Sequence, residues 1–398
     1  MPNPEDDALI AVLETVAASA RPYLAHQRRE ARAGRFLTGP EPDRTNHFMT
    51  VSRALQDHPE FQKATRRVFG GKQLNAFPQA IALPLVPVAC DRGAALAVDW
   101  LRKVAHTERA DVRYVAEVHG LAVDRPIYLS NGVRLIPLDQ LPPSSNAFAL
   151  MNQFVIRPGH FPLGLSPPCI GILECLNVPD DGGVDGRFPP EIAEAVRGFT
   201  LVDKAAPVVG MSWVEFVDAE LELAEAGQMW MPARYEGLRP SYPIPVDDEA
   251  IGWMERYLGL HQHLHGRCNI AIARLNTARR RANLADRAIE LGIALEALFG
   301  GGSTGELTYK LRLRTALYLG DTLEERRQIS KDVNELYKLR SRAVHGQAVG
   351  DERDANNRAI IERGLELCAL ALRKMVSTNI DYQPELWDLS GGEPPAEE

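Results

Sequence analysis

Residues 284–299 read LADRAIELGIALEALF, and this stretch decides how the second half of the chain folds. Its apolar residues recur every three or four positions, the period that places them on one face of an α-helix. They are Leu284, Ala288, Leu291, Leu295 and Leu298. The glycine-rich run that starts at Gly300 ends the pattern. The sequence therefore predicts one long amphipathic helix, over about 269–299, with an apolar face that needs other helices to cover it.

The prolines separate this helical region from the rest of the chain. Of 28 prolines, 25 lie at or before Pro245 and three lie at or after Pro384. Proline costs about 3 kcal/mol inside a helix, so a long proline-free stretch favours a helical domain. We expect an all-α bundle over 248–383. Its other helices are predicted at 248–264, 307–319, 323–345 and 354–378, with Gly320 and Gly346 at two helix ends.

The first half is predicted to be an α+β domain, residues 1–247, with a mainly antiparallel sheet. Amphipathic helices are expected at 6–33 and 49–69, within a helical part, 1–70. A mixed part, 71–238, follows, with a proline-rich extended linker at 239–247. Asn131-Gly132 between two β-rich runs is a strong hairpin signal. Strands are predicted at 80–88, 112–121, 125–129, 133–137, 148–156 and 170–176, and further helices at 188–204 and 213–226.

Composition excludes several classes of protein. The net charge of −8 argues against a wholly basic nucleic-acid coat protein, and no stretch approaches the 18 apolar residues of a membrane span. Five scattered cysteines without C-x-x-C spacing fit reduced thiols in the cytoplasm. We find no phosphate-binding glycine loop, zinc-protease motif or serine-hydrolase motif, and we expect no cofactor. Residues 384–398 look like an acidic flexible tail.

A histidine run could suggest a metal site. His261 and His265 would share a helix face, as zinc ligands can, but no carboxylate or cysteine pair nearby in the sequence completes a site. We therefore expect solvated histidines near a helix end and no metal.

Positive charge is concentrated in one part of the chain. Residues 266–346 hold 15 Lys and Arg against 9 Asp and Glu, within an acidic protein. The run Arg279, Arg280 and Arg281 lies at its densest point. Such an asymmetry is what a local polyanion-binding surface would produce, so we predict RNA binding by these three arginines. A solvated helix face with ordinary ion pairs is the alternative.

Residues 336–346, LYKLRSRAVHG, contain an R-x4-H pair, Arg340 and His345. Histidine can accept and donate a proton near neutral pH, and arginine clamps phosphate. Together they are the minimum for cleaving RNA without a metal. On an ideal helix, five residues separate the two side chains by about 140°. Either the helix loosens at His345, or a second copy of the chain completes the site.

Three blocks in this region resemble the ApeA-like branch of HEPN domains. Residues 286–299 resemble its first long helix, 306–316 its second, and 336–346 its motif helix, typically L-Y-x-x-R-S-x-x-V-H-G. The resemblance covers about 265–378. It implies a helical bundle that dimerises with the motif helices facing each other. HEPN domains include metal-independent ribonucleases of toxin–antitoxin, phage-defence and RNA-processing systems, and members that only bind RNA or nucleotides.

The resemblance also implies roles for individual residues. Arg340 and His345 would be catalytic, with Ser341 and Arg342 beside them. Ribonuclease members often carry Asn, Asp or His after the arginine, where this chain has Ser341. Tyr337 could orient a phosphate or stack on a base, or be a partly buried aromatic. Glu296 would hold the motif through an ion pair with Arg340 or Arg314.

Three functions remain open at this point. The leading one is a metal-independent endoribonuclease in a bacterial defence or stress system, in which residues 1–247 sense a trigger or restrain the nuclease. An antitoxin or trigger partner would then exist. The second is a non-catalytic RNA- or nucleotide-binding dimer, and the third is a dimerisation scaffold. The basic excess favours the first two over the third, and Ser341 favours the second over the first.

Overall fold

The structure, a computed structural model, describes residues 4–32, 44–69, 72–73, 78–144, 147, 150, 168–180, 188–218, 221, 242–301, 306–349 and 354–380. The predicted fold class is confirmed: an α+β region with an antiparallel sheet precedes a region built of helices. None of the helices in the described ranges combines the length and the apolar character that spanning a lipid bilayer requires.

Five helices and a short hairpin open the chain. The helices are α1 Pro4–Arg32, α2 Arg44–Gln56, α3 Pro59–Ala64, α4 Pro78–Arg92 and α5 Ala94–Ala105. The hairpin strands are β1 Val68–Phe69 and β2 Lys72–Gln73. The predicted helix over 49–69 is two helices, because Pro59 begins a new one at its first turn, where proline is tolerated.

A five-stranded antiparallel sheet forms the middle of this region, in the order β5-β6-β7-β3-β8. Its strands are β3 Arg109–His119, β5 Ile127–Tyr128, β6 Arg134–Ile136, β7 Cys169–Pro179 and β8 Val208–Phe216. The predicted hairpin is confirmed between β5 and β6, where Gly132 adopts a φ of 85°, in the left-handed region that glycine favours. The predicted strands 112–121, 125–129, 133–137 and 170–176 all correspond to members of this sheet.

The strand predicted over 80–88 is wrong, since these residues lie inside α4. The error has a physical cause. The segment is apolar on every side, so it shows no helical period, and Pro84 and Pro87 argued against a helix. Ile81, Leu85 and Val86 are nevertheless buried, and packing against α1, α2 and α5 outweighs local preference. Helix α5 was not predicted.

The helix predicted over 213–226 is wrong at its start, residues 213–216, whereas Leu221 is helical as predicted. Residues 213–216 belong to β8, which pairs along β3, with Trp213 opposite Val115. The helix predicted over 188–204 is shorter, α6 Pro190–Gly198, and continues as a 3-10 turn, Phe199–Leu201. The strand predicted over 148–156 is wrong at Leu150, its one described residue, which is helical. The tail 384–398 lies outside the described residues.

The second half consists of helices that surround the apolar face of 284–299. They are α7 Asp248–Leu258, α8 Gln262–Arg280, α9 Leu284–Phe299, α10 Leu307–Leu319, α11 Leu323–Val344 and α12 Ala355–Thr378. The single helix predicted over 269–299 is wrong: it breaks at 281–283. The Asn283 side chain accepts from the backbone N–H groups of Ala285 and Asp286, so it caps a new helix.

The chain between the halves is tied to the first half. Strand β9, Ile244–Pro245, pairs in parallel with β4, Leu121–Ala122. Residues 244–245 of the predicted linker are therefore extended, as expected, and they pair with a strand of the first half of the chain.

Polar side chains of the bundle hold the turn that precedes β8. Arg279 donates to the carbonyl oxygens of Thr200, at 2.7 Å, and Ala205, at 2.6 Å. Asn276, which is buried, donates to the Thr200 hydroxyl and the Pro207 carbonyl. Arg373 on α12 donates to the carbonyl of Leu201 at 2.7 Å. Turn 199–207 is thus fixed by side chains from two bundle helices.

Arg279→Ala should destabilise the protein by about 1–3 kcal/mol, because two carbonyl groups in a largely buried contact would lose their donor. The control is Arg125→Ala, whose ion pair with Asp248 is exposed on both sides and should contribute only about 0–1 kcal/mol. Urea unfolding with a fitted slope measures both. Equal small losses would contradict a clamp at Arg279.

Candidate functional site

The motif helix α11 is firmly placed at its first turn and along one face. Thr322 and Glu325 form a reciprocal capping box at its start, with the Glu325 carboxylate accepting from the Thr322 backbone N–H at 3.0 Å. Those backbone hydrogen bonds lower the pKa of Glu325. Ile329, Val333 and Leu336 are buried and fix the rotation of the helix. The rotation then decides which way each motif side chain points.

Arg340 lies across helix α9 because Gly292 leaves room for it. A Cβ atom built on Gly292 would lie 2.8 Å from Cγ of Arg340 and 3.5 Å from its Nε. The aliphatic part of the arginine thus occupies the place of a side chain on α9. The sequence carries a weak signal of this contact, a glycine inside a strong helix pattern, which usually has a packing or functional reason. It was not used in the prediction.

Glu296, one turn further along α9, binds both Arg340 and Tyr337. Its Oε1 lies 3.1 Å from Nη2 of Arg340 and accepts a hydrogen bond from the Tyr337 hydroxyl. The guanidinium carbon of Arg340 lies 5.5 Å from the centre of the Tyr337 ring. Burial, and then the hydrogen bond to Glu296, raise the pKa of Tyr337, so its phenol remains a donor at neutral pH. The three residues form one network.

The contacts of this network distinguish between the alternatives predicted for the ion-pair partner of Glu296 and for the role of Tyr337. Glu296 pairs with Arg340 and not with Arg314, whose side chain is buried and donates to the carbonyls of Phe299 and Gly300 at 2.9 Å. Arg314 therefore caps the C-terminal end of α9, where carbonyl groups lack helical partners. Tyr337 is 6% exposed and is held from both sides, which fits an orienting group better than a base-stacking one.

His345 lies outside this network. It is the exposed C-terminal cap of α11, with a φ of −86° and a ψ of 11°, and Gly346 after it adopts a φ of 70°. The helix thus ends between Arg340 and His345, and the ideal angle of about 140° does not hold strictly. Ser341 is exposed and Arg342 is partly exposed. In the described part of the chain, no hydrogen bond or ion pair joins Arg340 to His345.

The predicted RNA-binding arginines occupy different environments. Arg279 is engaged with the turn 199–207, and burial followed by the charge of Arg373 lowers its pKa to about 10. Arg280 donates to Asn276, at 3.4 Å, and Arg281 lies 4.0 Å from Glu290. The run is therefore not the exposed basic face that was predicted, and the expectation that its removal leaves the fold intact does not suit Arg279.

The histidine run packs against the first half of the chain. His261 is the exposed N-terminal cap of α8. His265 stacks on Tyr257, with ring centres 4.9 Å apart, and lies 2.8 Å from Glu194. Among the residues that the structure describes, no cluster of three or more His, Cys, Asp or Glu side chains could hold a metal ion.

A buried polar pair that sequence reasoning missed lies in the sheet. Glu117 and His119 are 1% and 2% exposed, and Oε2 of Glu117 lies 3.7 Å from Nε2 of His119. The same oxygen accepts from the backbone N–H of Met211 at 2.8 Å. Gly210 faces them, since a Cβ there would lie 2.7 Å from the carboxylate. A shift in the β3–β8 register beside Glu117 aims its side chain inward.

Gly292→Ala tests the seating of Arg340. In the native background the added methyl group should cost about 1–3 kcal/mol, because it overlaps Arg340. In an Arg340→Ala background the same change should instead stabilise α9 by up to about 1 kcal/mol, the helix preference of Ala over Gly. Urea unfolding of the four proteins gives this coupling energy.

The control for this cycle is Gly252→Ala in α7, where an added Cβ meets nothing within 4 Å. Gly252→Ala should stabilise the protein by up to about 1 kcal/mol, and by the same amount in the native protein and in the Arg340→Ala variant. If Gly292→Ala behaved like Gly252→Ala in the native background, Arg340 would not be seated on α9.

We compared the whole chain with family models, with curated proteins and with solved structures, and no family model, curated protein or solved structure matched it.

Proposed function

We propose that the chain is a metal-independent endoribonuclease of the HEPN type, in a cytoplasmic bacterial defence or stress system. One observation carries the proposal. Arg340 is oriented by Glu296 and Tyr337 while 28% of its side chain stays exposed, and the exposed His345 caps the same helix. A cation held ready for phosphate and an accessible imidazole are the two groups that metal-free cleavage of RNA needs.

The chemistry assigns one task to each group. His345, as neutral imidazole, takes the proton from a ribose 2′-hydroxyl, and the 2′-oxygen attacks the adjacent phosphorus. The P–O5′ bond breaks, and the leaving 5′-oxygen receives the proton back from the His345 imidazolium, which returns to neutral imidazole. Arg340 stabilises the negative charge that gathers on the phosphate oxygens. The products are a 2′,3′-cyclic phosphate and a 5′-hydroxyl.

The network around Arg340 prepares it for this task. Glu296 holds Nη2, and Gly292 lets the aliphatic part lie on α9, so few rotamers remain open to the side chain. A preorganised donor stabilises charge without having to be reoriented during the reaction. Tyr337, whose phenol stays protonated, keeps the Glu296 carboxylate in place. Glu296 and Tyr337 are thus positioning residues.

A second candidate function is supported by the same contact. The ion pair with Glu296 neutralises part of the charge of Arg340, and Ser341 adds no charge beside it. This favours a dimer that binds RNA or nucleotides without cleaving them. The two functions differ in one measurement, the appearance of new RNA ends.

Incubation with total cellular RNA in EDTA should produce ends with a 2′,3′-cyclic phosphate and a 5′-hydroxyl. Arg340→Ala should lower the rate by about 10²–10³-fold, the usual loss on removing one charge-stabilising donor. His345→Ala should abolish cleavage, because His345 is the group proposed to move the proton. Mapping of the new ends by sequencing measures both.

The matched control is His106→Ala, which changes an exposed histidine of the first half that pairs with Glu60 at 2.9 Å. It should cleave like the native protein. RNA binding without cleavage by the native protein would support the second candidate. Cleavage that survives both motif substitutions, or that needs a divalent metal, would overturn the assignment.

We further propose that the chain works as a homodimer through the bundle, with Arg340 of one copy and His345 of the other at one site. Support comes from the directions of the two side chains, since Arg340 turns inward onto α9 and His345 lies exposed past the end of α11. The α+β region would sense a trigger or restrain the site through the contacts at turn 199–207.

A mixture of Arg340→Ala and His345→Ala proteins tests the shared site. In a two-fold symmetric dimer, each mixed pair would hold one intact and one doubly defective site. Because random exchange makes about half of the dimers mixed, about a quarter of native activity should return. The measurement is RNA cleavage after the two inactive proteins are mixed and exchanged. No recovery, although mixed dimers form, would show that each chain supplies both groups of its own site.

A further inference from the structure

The outer face of the motif helix carries a row of positive charges. Arg327, Lys331, Lys338 and Arg342 lie within about 60° of one another around α11, and His345 falls in the same sector when the helical turn is continued. Ile329, Val333 and Leu336 occupy the opposite, buried side. The row extends for about 27 Å from Arg327 to His345 at 1.5 Å per residue. We name these four cations the α11 stripe.

Three cations of the stripe are not committed to carboxylates of the chain. Lys338 pairs with Glu335 at 2.7 Å. In contrast, Arg327, Lys331 and Arg342 make no ion pair within the described residues. Arg327 and Lys331 are exposed, and Arg342 is partly exposed. Elsewhere on α11, Arg340 is bound to Glu296. Three cations of the basic segment 266–346 thus lie on this one face without a carboxylate partner among the described residues.

We propose that the α11 stripe is the track along which a single-stranded RNA lies, with its phosphates on the stripe and its scissile bond at His345. The proposal rests on the proposed function and names its substrate: unpaired RNA bound through its backbone. At about 3.4 Å per phosphate in a stacked strand, 27 Å spans roughly eight nucleotides. The stripe would deliver the strand to the end of the helix, where the imidazole lies.

The composition of this face favours an unpaired strand without a strong sequence preference. Side chains cannot enter the deep, narrow major groove of duplex RNA, so a row of cations on one helix suits an exposed single strand. Between Arg327 and His345, the other residues of this sector are Asn334 and Ser341, with Glu335 at its border, so the sector offers no aromatic ring for a base to stack on. Phosphate contacts alone fix position and carry little sequence information.

The test uses the full chain in the His345→Ala background, so that bound RNA is not cleaved. A fluorescein-labelled 12-nucleotide oligouridylate is titrated at several KCl concentrations, and its anisotropy gives the dissociation constant. The substitutions are Arg327→Gln, Lys331→Gln and Arg342→Gln together. Each phosphate contact contributes about 0.7 to the log–log salt slope for a single strand, so the slope should fall in magnitude by about 2.

The matched control changes Arg53, Arg66 and Lys204 to Gln. These three exposed cations of the first half make no ion pair within the described residues, and their loss lowers the net charge equally. It should leave the affinity and the slope close to those of the parent protein. Thermal unfolding should show both triple variants folded. An RNA duplex of the same length should bind more weakly than the single strand.

Each outcome decides the proposal separately from the proposed function. Equal losses in the two triple variants would mean a non-specific charge effect and would overturn the track. Preferential duplex binding, or no RNA binding at 50 mM KCl (a condition chosen because low salt favours phosphate contacts), would also overturn it. An acidic protein partner would then be the occupant to seek. Stripe-dependent binding with no cleavage by the native protein would support the track and favour the second candidate function over the nuclease.

Discussion

The seating of Arg340 on helix α9 is the contact on which the candidate site depends. It requires a glycine at 292, a carboxylate at 296 and a tyrosine at 337, and these come from two helices brought together by a shared apolar core. The contact is partly buried, so the charge of the arginine is screened less than on an open surface. The same network gives Arg340 a fixed direction and limits the charge that it can offer to a phosphate.

The two halves of the chain are joined by polar contacts. The turn that leads into β8 is held by side chains of the bundle, Asn276, Arg279 and Arg373. Within β8, Gly210 faces the buried pair Glu117 and His119. A ligand or partner that moved β8 would therefore reach the bundle through turn 199–207. Arg279 meets this turn on α8, which packs against α9 and so lies next to the helix that seats Arg340. Turn 199–207 thus contacts two helices of the bundle, α8 and α12.

The densest run of positive charge in the sequence is not the most exposed group of cations in the structure. The run of three arginines at 279–281 is dense in sequence, but one of them holds backbone carbonyls and another lies near Glu290. The uncommitted cations are spread over α11 at intervals of four to eleven residues, and only the helical turn puts them on one face. Charge density along a chain therefore differs from charge density on a surface.

The fold class, the positions of most bundle helices and the Asn131-Gly132 hairpin could be predicted from the amino-acid sequence. These rest on local rules: apolar period, turn chemistry and helix ends. The prediction failed at 80–88, where an apolar segment with two prolines is a helix, and at 213–216, which pairs with a distant strand. Three contacts are visible in the tertiary structure alone. Glu296 binds Arg340, Gly292 leaves space for the Arg340 side chain, and Arg279 binds the turn before β8. The physical reason is that these contacts join residues from different elements, and their partners are chosen by the packing of the whole core.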